Sequence, residues 1–489
     1  MFVGTGSGVG KSIVVAALCR CLWKKGVKVA PFKAQNMALN SFVTHDGLEM
    51  GRAQVYQAQA SGLLPDVKMN PILLKPTENA RSQVIVMGRP VGHYRAKEYY
   101  KHLKKHKRVA QEAFDSLASD YDVIVLEGAG SPAEINLQAF DIVNMNMAAY
   151  ASCPVIMIGD IDKGGVFAWL KGTYDLIQRR HRKLVAGYLI NKFRGDLSLL
   201  EPGIEQFHEL VGLRSFGVLP WLNDICVDQE DSVHIKQLER KEGQVKIAVL
   251  HLSRISNFTD FAPFSIEPDV GLYFVRRPEE LTEDLDCLII PGTKSTRAEL
   301  AWLKEYGWTD AILQMARRGI MILGICGGYQ ILGLEVRDPE GAEGLPGTTK
   351  GLGLLPIVTH MDTKKHLTQT MVLIDHPFLV PQEQKIHGYE IHMGKTYSTG
   401  KFIPLGKALG ASIGACAVKG PIIGTYLHGL FENDRLRRHF LNNLRRKKGL
   451  PPIDITRSYE EFRQAHLDKL ASWFQGHADL EGIMKLLSL

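Results

Sequence analysis

The chain has 489 residues, 45% of them hydrophobic and 23% charged, with a formal net charge of +7. That is the profile of a soluble globular protein too long for one core, so two or three domains are expected. No apolar run approaches the ~18 residues of a membrane helix, no secretory leader is visible, and the mild positive charge requires neither nucleic acid nor a membrane as partner. A cytoplasmic protein is expected.

The chain opens with the apolar triplet MFV, the glycine-rich run GTGSGVGKS (4–12) and the helical pattern IVVAALCRCLWKKG. Strand, loop and helix in that order converge backbone N–H groups on phosphate oxygens, and the helix dipole adds positive potential. Thr5, Gly6, Gly8, Gly10, Lys11 and Ser12 are the candidate nucleotide-binding residues. Lys11 would neutralise the β- and γ-phosphates of ATP, and the Ser12 hydroxyl would ligate Mg²⁺. The strict G-x4-G-K-[ST] pattern wants glycine where this chain has Thr5, so the loop is a variant. A trimmed amino terminus would account for the short strand ahead of it. The basic helix at 94–108 reads as a solvated face.

Three apolar runs follow, VIVLEGAG (123–130), PVIMIGDID (154–162) and VAGYLINKF (185–193). Strands apolar throughout and separated by helical patterns predict a parallel sheet covered on both faces. Acids at the ends of such strands face the ligand crevice. Glu127 is therefore a candidate metal contact beside Ser12, Asp160 and Asp162 are supporting acids, and Glu49 is a third candidate metal ligand. Asn191 is placed to read an adenine edge.

The polar stretch 236–244 reads as a linker between a unit over 1–235 and a second α/β unit over 245–445. Strands are expected at 245–252, 270–275, 286–293 and 320–326. The run 435–449 holds seven Lys/Arg and no acid and reads as a solvated helix face. A helical tail is expected over 446–489. The seven cysteines are scattered without zinc-ligand spacing, which indicates reduced thiols.

One of them stands apart. Cys326 lies in GICGGYQILG (324–333), directly after an apolar strand, and the G-x-C-x-G spacing predicts a nucleophile elbow. The following helix would place its amino terminus under the sulfur. The Gly327 N–H would face a developing oxyanion, with Gly292 of the loop 291–296 as the second donor. A histidine must supply the base from elsewhere in the chain. His428 in GTYLHGLFEN (424–433) is the first choice, with His387 and His392 as alternatives.

GICGGYQILG together with GTYLHGLFEN resembles the class I, triad-type glutamine amidotransferases, which release ammonia from L-glutamine through a cysteine thioester. That resemblance implies a flavodoxin-like fold for the second unit. The acid those domains carry two residues after the histidine is Leu430 here, and Glu432 is a poor substitute, so the expectation is a Cys326–His428 pair. The first unit resembles the dethiobiotin synthetase group of P-loop enzymes. More narrowly, FKAQNMALNS (32–41), MGRAQVYQAQA (50–60), MNPILLKP (69–76), EGAGSPAEINL (127–137), DIDKGGVFA (160–168), NKFRGD (191–196) and HGYEIHMG (387–394) resemble the cobyric acid synthase family. The resemblance covers nearly the whole chain. It implies two doubly wound α/β domains, ATP-dependent amidation of four peripheral carboxylates (b, d, e, g) of a corrinoid substrate, and glutamine as nitrogen source. Lys33, Gln35 and Asn36 are then candidate substrate contacts, with Ser131, Glu134 and Asn136 as further ones.

Rival readings are a cobyrinic acid a,c-diamide synthase, a P-loop switch ATPase, and a scaffold with an inactive amidotransferase domain. A switch ATPase would carry a signature lysine at the position of Gly6 and would not need the elbow. The sequence leaves the oligomeric state open.

Overall fold

The computed structural model describes residues 1–77, 81–222, 238–239, 242–408 and 411–489, so most of the expected linker lies outside the described residues. In the first half, the strands Phe2–Gly4, Val155–Asp160, Val185–Phe193 and Arg214–Pro220 run parallel in that order. A second parallel pair, Val29–Phe32 with Val123–Leu126, joins them through a bridge between Phe2 and Glu127 and a 2.8 Å hydrogen bond from the Gly128 N–H to the Phe2 carbonyl. Chain order therefore reverses beside Phe2–Gly4, and such a switch point opens a crevice at the carboxyl ends of the strands. Alternate residues of one strand feed different cores. Ile156 and Ile158 pack with Val14, Leu18 and Leu22 on one face, while Val155 and Met157 pack with Val166 and Leu170 on the other. A strand covered on both sides has no polar face to show.

The second half repeats the plan. Val270–Val275, Val245–Leu250, Cys287–Ile290, Met321–Ile325 and Ile422–Thr425 form a parallel core in that order. Antiparallel strands extend it through Ala411–Cys416 and Ile403–Ala408 to the long hairpin Ile357–Ile374 and Gln384–Ser398. Both halves are α/β, as the apolar strand pattern predicts. Among the described residues, no helix is long and apolar enough to cross a membrane.

Two expectations are corrected. The tail over 446–489 is not a separate appendage, because the helix Tyr459–His477 returns to the first half. Its Leu467, Leu470 and Phe474 are fully buried in the core formed by the helix Lys11–Lys24. The basic run 435–449 is only in part a solvated face: Arg435, Arg446, Lys447 and Lys448 are exposed, but three arginines are not. In the helix Asp434–Lys447, Arg437, Arg438 and Arg445 are 0%, 3% and 4% exposed. Arg437 pairs with Glu267 at 2.8 Å, and Arg438 and Arg445 pair with Asp269 at 3.0 and 3.1 Å. These neutralising acids lie far away in sequence, so the run looks unpaired when read alone.

Candidate active sites

The strand Phe2–Gly4 ends in the glycine loop, and the helix Lys11–Lys24 begins directly after it. Gly10 has φ 100°, and a Cβ there would fall 2.1 Å from the Asn191 amide nitrogen, so this turn admits only glycine. Lys11 is buried, and its Nζ donates to the carbonyls of Gly6 (2.9 Å) and Gly130 (3.0 Å). The Ser12 hydroxyl donates to Glu127 Oε1 at 2.8 Å. Glu127 also accepts from Lys33 Nζ (2.9 Å) and Gln57 Nε2 (2.5 Å). Burial alone would raise its pKa, but Lys33, Gln57 and Ser12 together hold the carboxyl below its usual value. A serine hydroxyl beside an ionised carboxylate is a hard oxygen pair, the donor chemistry that suits Mg²⁺.

Other predicted residues fall around this group. Asn191 uses its amide to brace the loop, donating to the Val9 carbonyl at 2.8 Å. Lys192 bridges Asp160 and the Gly8 carbonyl, each at 2.7 Å. Asp162 pairs with Arg194 at 3.4 Å. The backbone N–H of Thr5 is spent on the Ile158 carbonyl. Gly8, Gly10, Lys11, Ser12, Lys33, Asn36, Glu127 and Asn191 all line one cavity of ≈ 520 Å³, together with Trp221 and Trp473. Gln35, held by the Tyr99 hydroxyl, lines an adjoining cavity of ≈ 330 Å³ with Ser131, Glu134, Leu137 and Phe140. Asn136 is exposed outside both.

Glu49 lies elsewhere, which corrects its reading as a metal ligand. It is fully buried, with Lys75 at 3.0 Å on one oxygen and Lys365 at 2.6 Å on the other. Burial opposes its charge, but the two lysines overcome this and hold its pKa at about 2. Lys75 belongs to the first half and Lys365 to the second, so Glu49 ties the two together.

The second site is built on the strand Met321–Ile325, with Cys326 in the turn and the helix Gly327–Leu332 after it. Cys326 has φ 52° and ψ −107°, a strained conformation for a non-glycine residue. The turn fits against its neighbours only because Gly328 lacks a Cβ, which would lie 1.9 Å from the Ile290 carbonyl oxygen. The Cys326 thiol points to the Ile391 carbonyl at 3.5 Å. The thiol, Gly327, Lys75, Lys294, Asn257 and His392 all line a small cavity of ≈ 40 Å³. Gly292 sits beside the histidine, where a Cβ would be 3.4 Å from the His428 ring.

His428 is 1% exposed, and its Nδ1 lies 2.7 Å from Asp260 Oδ2. The other Asp260 oxygen accepts the Gly429 N–H at 3.0 Å. Tyr389 stacks on the imidazole with ring centroids 5.2 Å apart. The remaining ring nitrogen, Nε2, is buried and has no hydrogen-bond partner among the described residues, and the Cys326 thiol lies near enough to add to the basicity of the ring. Burial would lower the His428 pKa, but the Asp260 charge and hydrogen bond, with Cys326, push it up to about 10.

Asp260 is the group that motif reading missed. It lies on the 3-10 segment Phe258–Ile266, and the available signal was an acid in the loop after the parallel strand Val245–Leu250. Glu432 turns away and pairs with Arg52 at 3.3 Å. His387 is exposed, and His392 is engaged by Glu390 and the Gly394 carbonyl.

A phosphate-loop unit joined to a cysteine–histidine–acid hydrolytic unit defines a nucleotide-dependent glutamine amidotransferase. Residues 1–233 match the family model described as CobQ/CobB/MinD/ParA nucleotide binding domain, and residues 246–436 match the CobB/CobQ-like glutamine amidotransferase domain. The chain is 45% identical to a cobyric acid synthase of Carboxydothermus hydrogenoformans, covering 100% of this chain and 99% of that one. It is 46% identical to a cobyric acid synthase of Salmonella typhi, covering 100% and 98%. This chain belongs to the cobyric acid synthase family. Among solved structures it matches PurLQS from Thermotoga maritima (17% identity, TM-score 0.33, 41% of this chain and 99% of that one) and the signal recognition particle receptor FtsY from Elizabethkingia anophelis (17%, TM-score 0.28, 45% and 55%).

Proposed function

We propose that the two sites divide one reaction: Cys326 liberates ammonia from glutamine, and the Lys11 site activates a corrinoid carboxylate that the ammonia then attacks. In the first step the sulfur anion adds to the glutamine carboxamide, and the Gly327 N–H, with the Gly292 loop, faces the developing oxyanion. His428, charged through Asp260, favours that anion and gives its Nε2 proton to the departing amine. Water then hydrolyses the thioester. Asp260 fixes which ring nitrogen faces the sulfur, a role that needs no sequence neighbour.

In the second step a carboxylate, a poor electrophile, takes the γ-phosphoryl group of ATP to become an acyl phosphate. Phosphoryl transfer depends on positioning and charge neutralisation. Lys11 and the loop N–H groups supply these, and Ser12 and Glu127 would hold a Mg²⁺ that shields the phosphate charge. Lys33, held against Glu127, orients that carboxylate. Asn36 lines the nucleotide cavity and Gln35 the adjoining one, where Leu137 and Phe140 offer apolar surface suited to the flat face of a corrin. Asn191 supports the loop from behind.

The observation that carries this reading is the segment Ile255 to Asp260. Ile255 and Phe258 line the nucleotide cavity, while Ser256 and Asn257 line the Cys326 cavity. Asn257, at φ 54°, accepts the Ser41 N–H of the first half at 3.1 Å. Two residues after Phe258, Asp260 holds His428. One thin wall thus separates a source of ammonia from its point of use, and ammonia crossing it stays unprotonated.

Mass spectrometry of the corrinoid product tests the division, using wild type and Cys326→Ala with Mg-ATP and either glutamine or ammonium. The variant should fail with glutamine and amidate with ammonium. Normal amidation from glutamine by the variant would make Cys326 structural. No change in corrinoid mass with either protein would remove the substrate assignment.

A further inference from the structure

We propose that His366, Glu390 and His392 form a binding site for a divalent transition metal of the Zn²⁺ class, on the hairpin beside the thiol centre and separate from any Mg²⁺ at Ser12. His366 and His392 are directly registered partners across the antiparallel ladder of Ile357–Ile374 and Gln384–Ser398. Glu390 precedes His392 by two residues, and the period of a strand puts both on one face, opposite His366. The ladder is irregular between Met361 and His366 and resumes at this pair.

The three donor atoms lie within 4.8 Å of one another. Glu390 Oε2 is 3.2 Å from His392 Nε2 and 3.9 Å from His366 Nε2. Ligands bound at ~2.0–2.1 Å in a tetrahedral zinc site are about 3.3 Å apart. One edge is therefore already at coordination length, and the other closes by a small rotation of His366, whose side chain is 55% exposed.

The surroundings of His392 point the same way. Its Nδ1 lies 2.7 Å from the Gly394 carbonyl, which accepts only, so Nδ1 carries the proton. That fixes the tautomer in which Nε2 offers a lone pair, the backing that metal-bound histidines receive. A lone pair aimed at a carboxylate oxygen at 3.2 Å needs a positive charge between them, either a proton or a metal ion. The second histidine aimed at the same oxygen favours the metal. The ring is also immobilised against Tyr426, with centroids 3.7 Å apart and planes 15° from parallel. Two imidazoles and one carboxylate suit Zn²⁺ or Co²⁺ and not Mg²⁺, and three protein ligands leave a fourth position for water. His392 lines the Cys326 cavity, so an ion here would stiffen one wall of the thiol site.

The thiol centre is itself a competing metal site, and the test removes it. Untagged, chelator-stripped full-length protein is titrated with Zn²⁺ and with Co²⁺ as wild type, Cys326→Ala, and Cys326→Ala combined with His366→Ala or with Glu390→Gln. Cys326→Ala should bind one equivalent of Zn²⁺, and its Co²⁺ form should show d–d bands without a thiolate charge-transfer band. Each combined variant should bind at least about tenfold more weakly, with an unchanged metal-free thermal midpoint showing that the fold is intact. Zn²⁺ should raise that midpoint in Cys326→Ala and not in the combined variants. His366→Ala alone should keep the glutamine-dependent rate of wild type. Absence of Zn²⁺ binding by Cys326→Ala, or binding unchanged by His366→Ala, overturns the proposal and leaves an imidazolium–carboxylate pair. Because the readout is metal bound per chain, it does not depend on the amidation reading.

Discussion

The two candidate sites share a plan of strand, tight turn and helix, but they recruit partners at different ranges. Around Lys11 most of the chemistry comes from the turn itself, and a distant acid, Glu127, is bridged to the turn strand through Phe2. Around Cys326 the turn supplies only the sulfur and the Gly327 N–H. The histidine comes from beyond the next parallel strand, and the acid comes from a 3-10 segment that precedes the turn. A loop that binds phosphate can be encoded locally because backbone N–H groups do the binding. A proton relay needs three side chains from three elements, which only the folded sheet brings together.

That contrast predicts which substitutions stop both nitrogen sources and which stop one. Lys11→Ala should reduce corrinoid amidation with glutamine and with ammonium alike by ~10³-fold, since it removes charge stabilisation at the phosphoryl step. Loss with glutamine alone would erase the division between the sites. Asp260→Asn should lower the glutamine-driven rate by roughly 10²–10³-fold, with ammonium-driven product unchanged. Equal rates would mean that His428 needs no orienting acid.

Glu267→Gln probes folding instead of chemistry. It leaves Arg437 and Arg438 without one carboxylate in a buried network, which should cost about 3 kcal/mol and lower the thermal midpoint by several degrees, read by calorimetry. A smaller change follows from the His428–Asp260 pair. The His428 pKa is raised from 6.5 to about 10, so its stabilisation is complete below pH 6.5 and declines as pH rises toward 10. His428→Gln should flatten that alkaline decline in thermal midpoint relative to wild type. Glu432→Gln should have the least effect, leaving the glutamine-driven rate within about twofold, because that carboxylate is partly exposed and serves Arg52 and Arg463.

Most of the parallel strands and both glycine turns were legible in the sequence, because buried strands and tight turns are fixed by local residue type, whereas no bounds were read for the strands Val29–Phe32 and Arg214–Pro220. Legibility failed where a charge found its partner far along the chain. Arg437, Arg438 and Arg445 looked solvated because Glu267 and Asp269 lie in another segment. Glu49 looked available for a metal because nothing nearby in sequence announces Lys365. Asp260 sits in a run without a recognisable spacing, so only the fold brings it to His428. The helical tail over 446–489 was expected, but nothing in its residues says that Tyr459–His477 packs into the core of the first half.

That returning helix has a consequence for the order in which the molecule is made. The glycine turn is synthesised well before Trp473, which lines its cavity, and Phe474, which packs behind its helix. The nucleotide site therefore waits for the whole of the second half to be synthesised. The thiol centre, with Asp260, Cys326 and His428 already emerged, can assemble earlier. A nascent chain that stalls or is clipped before residue 459 should be able to build its hydrolytic centre without a finished partner to receive the ammonia.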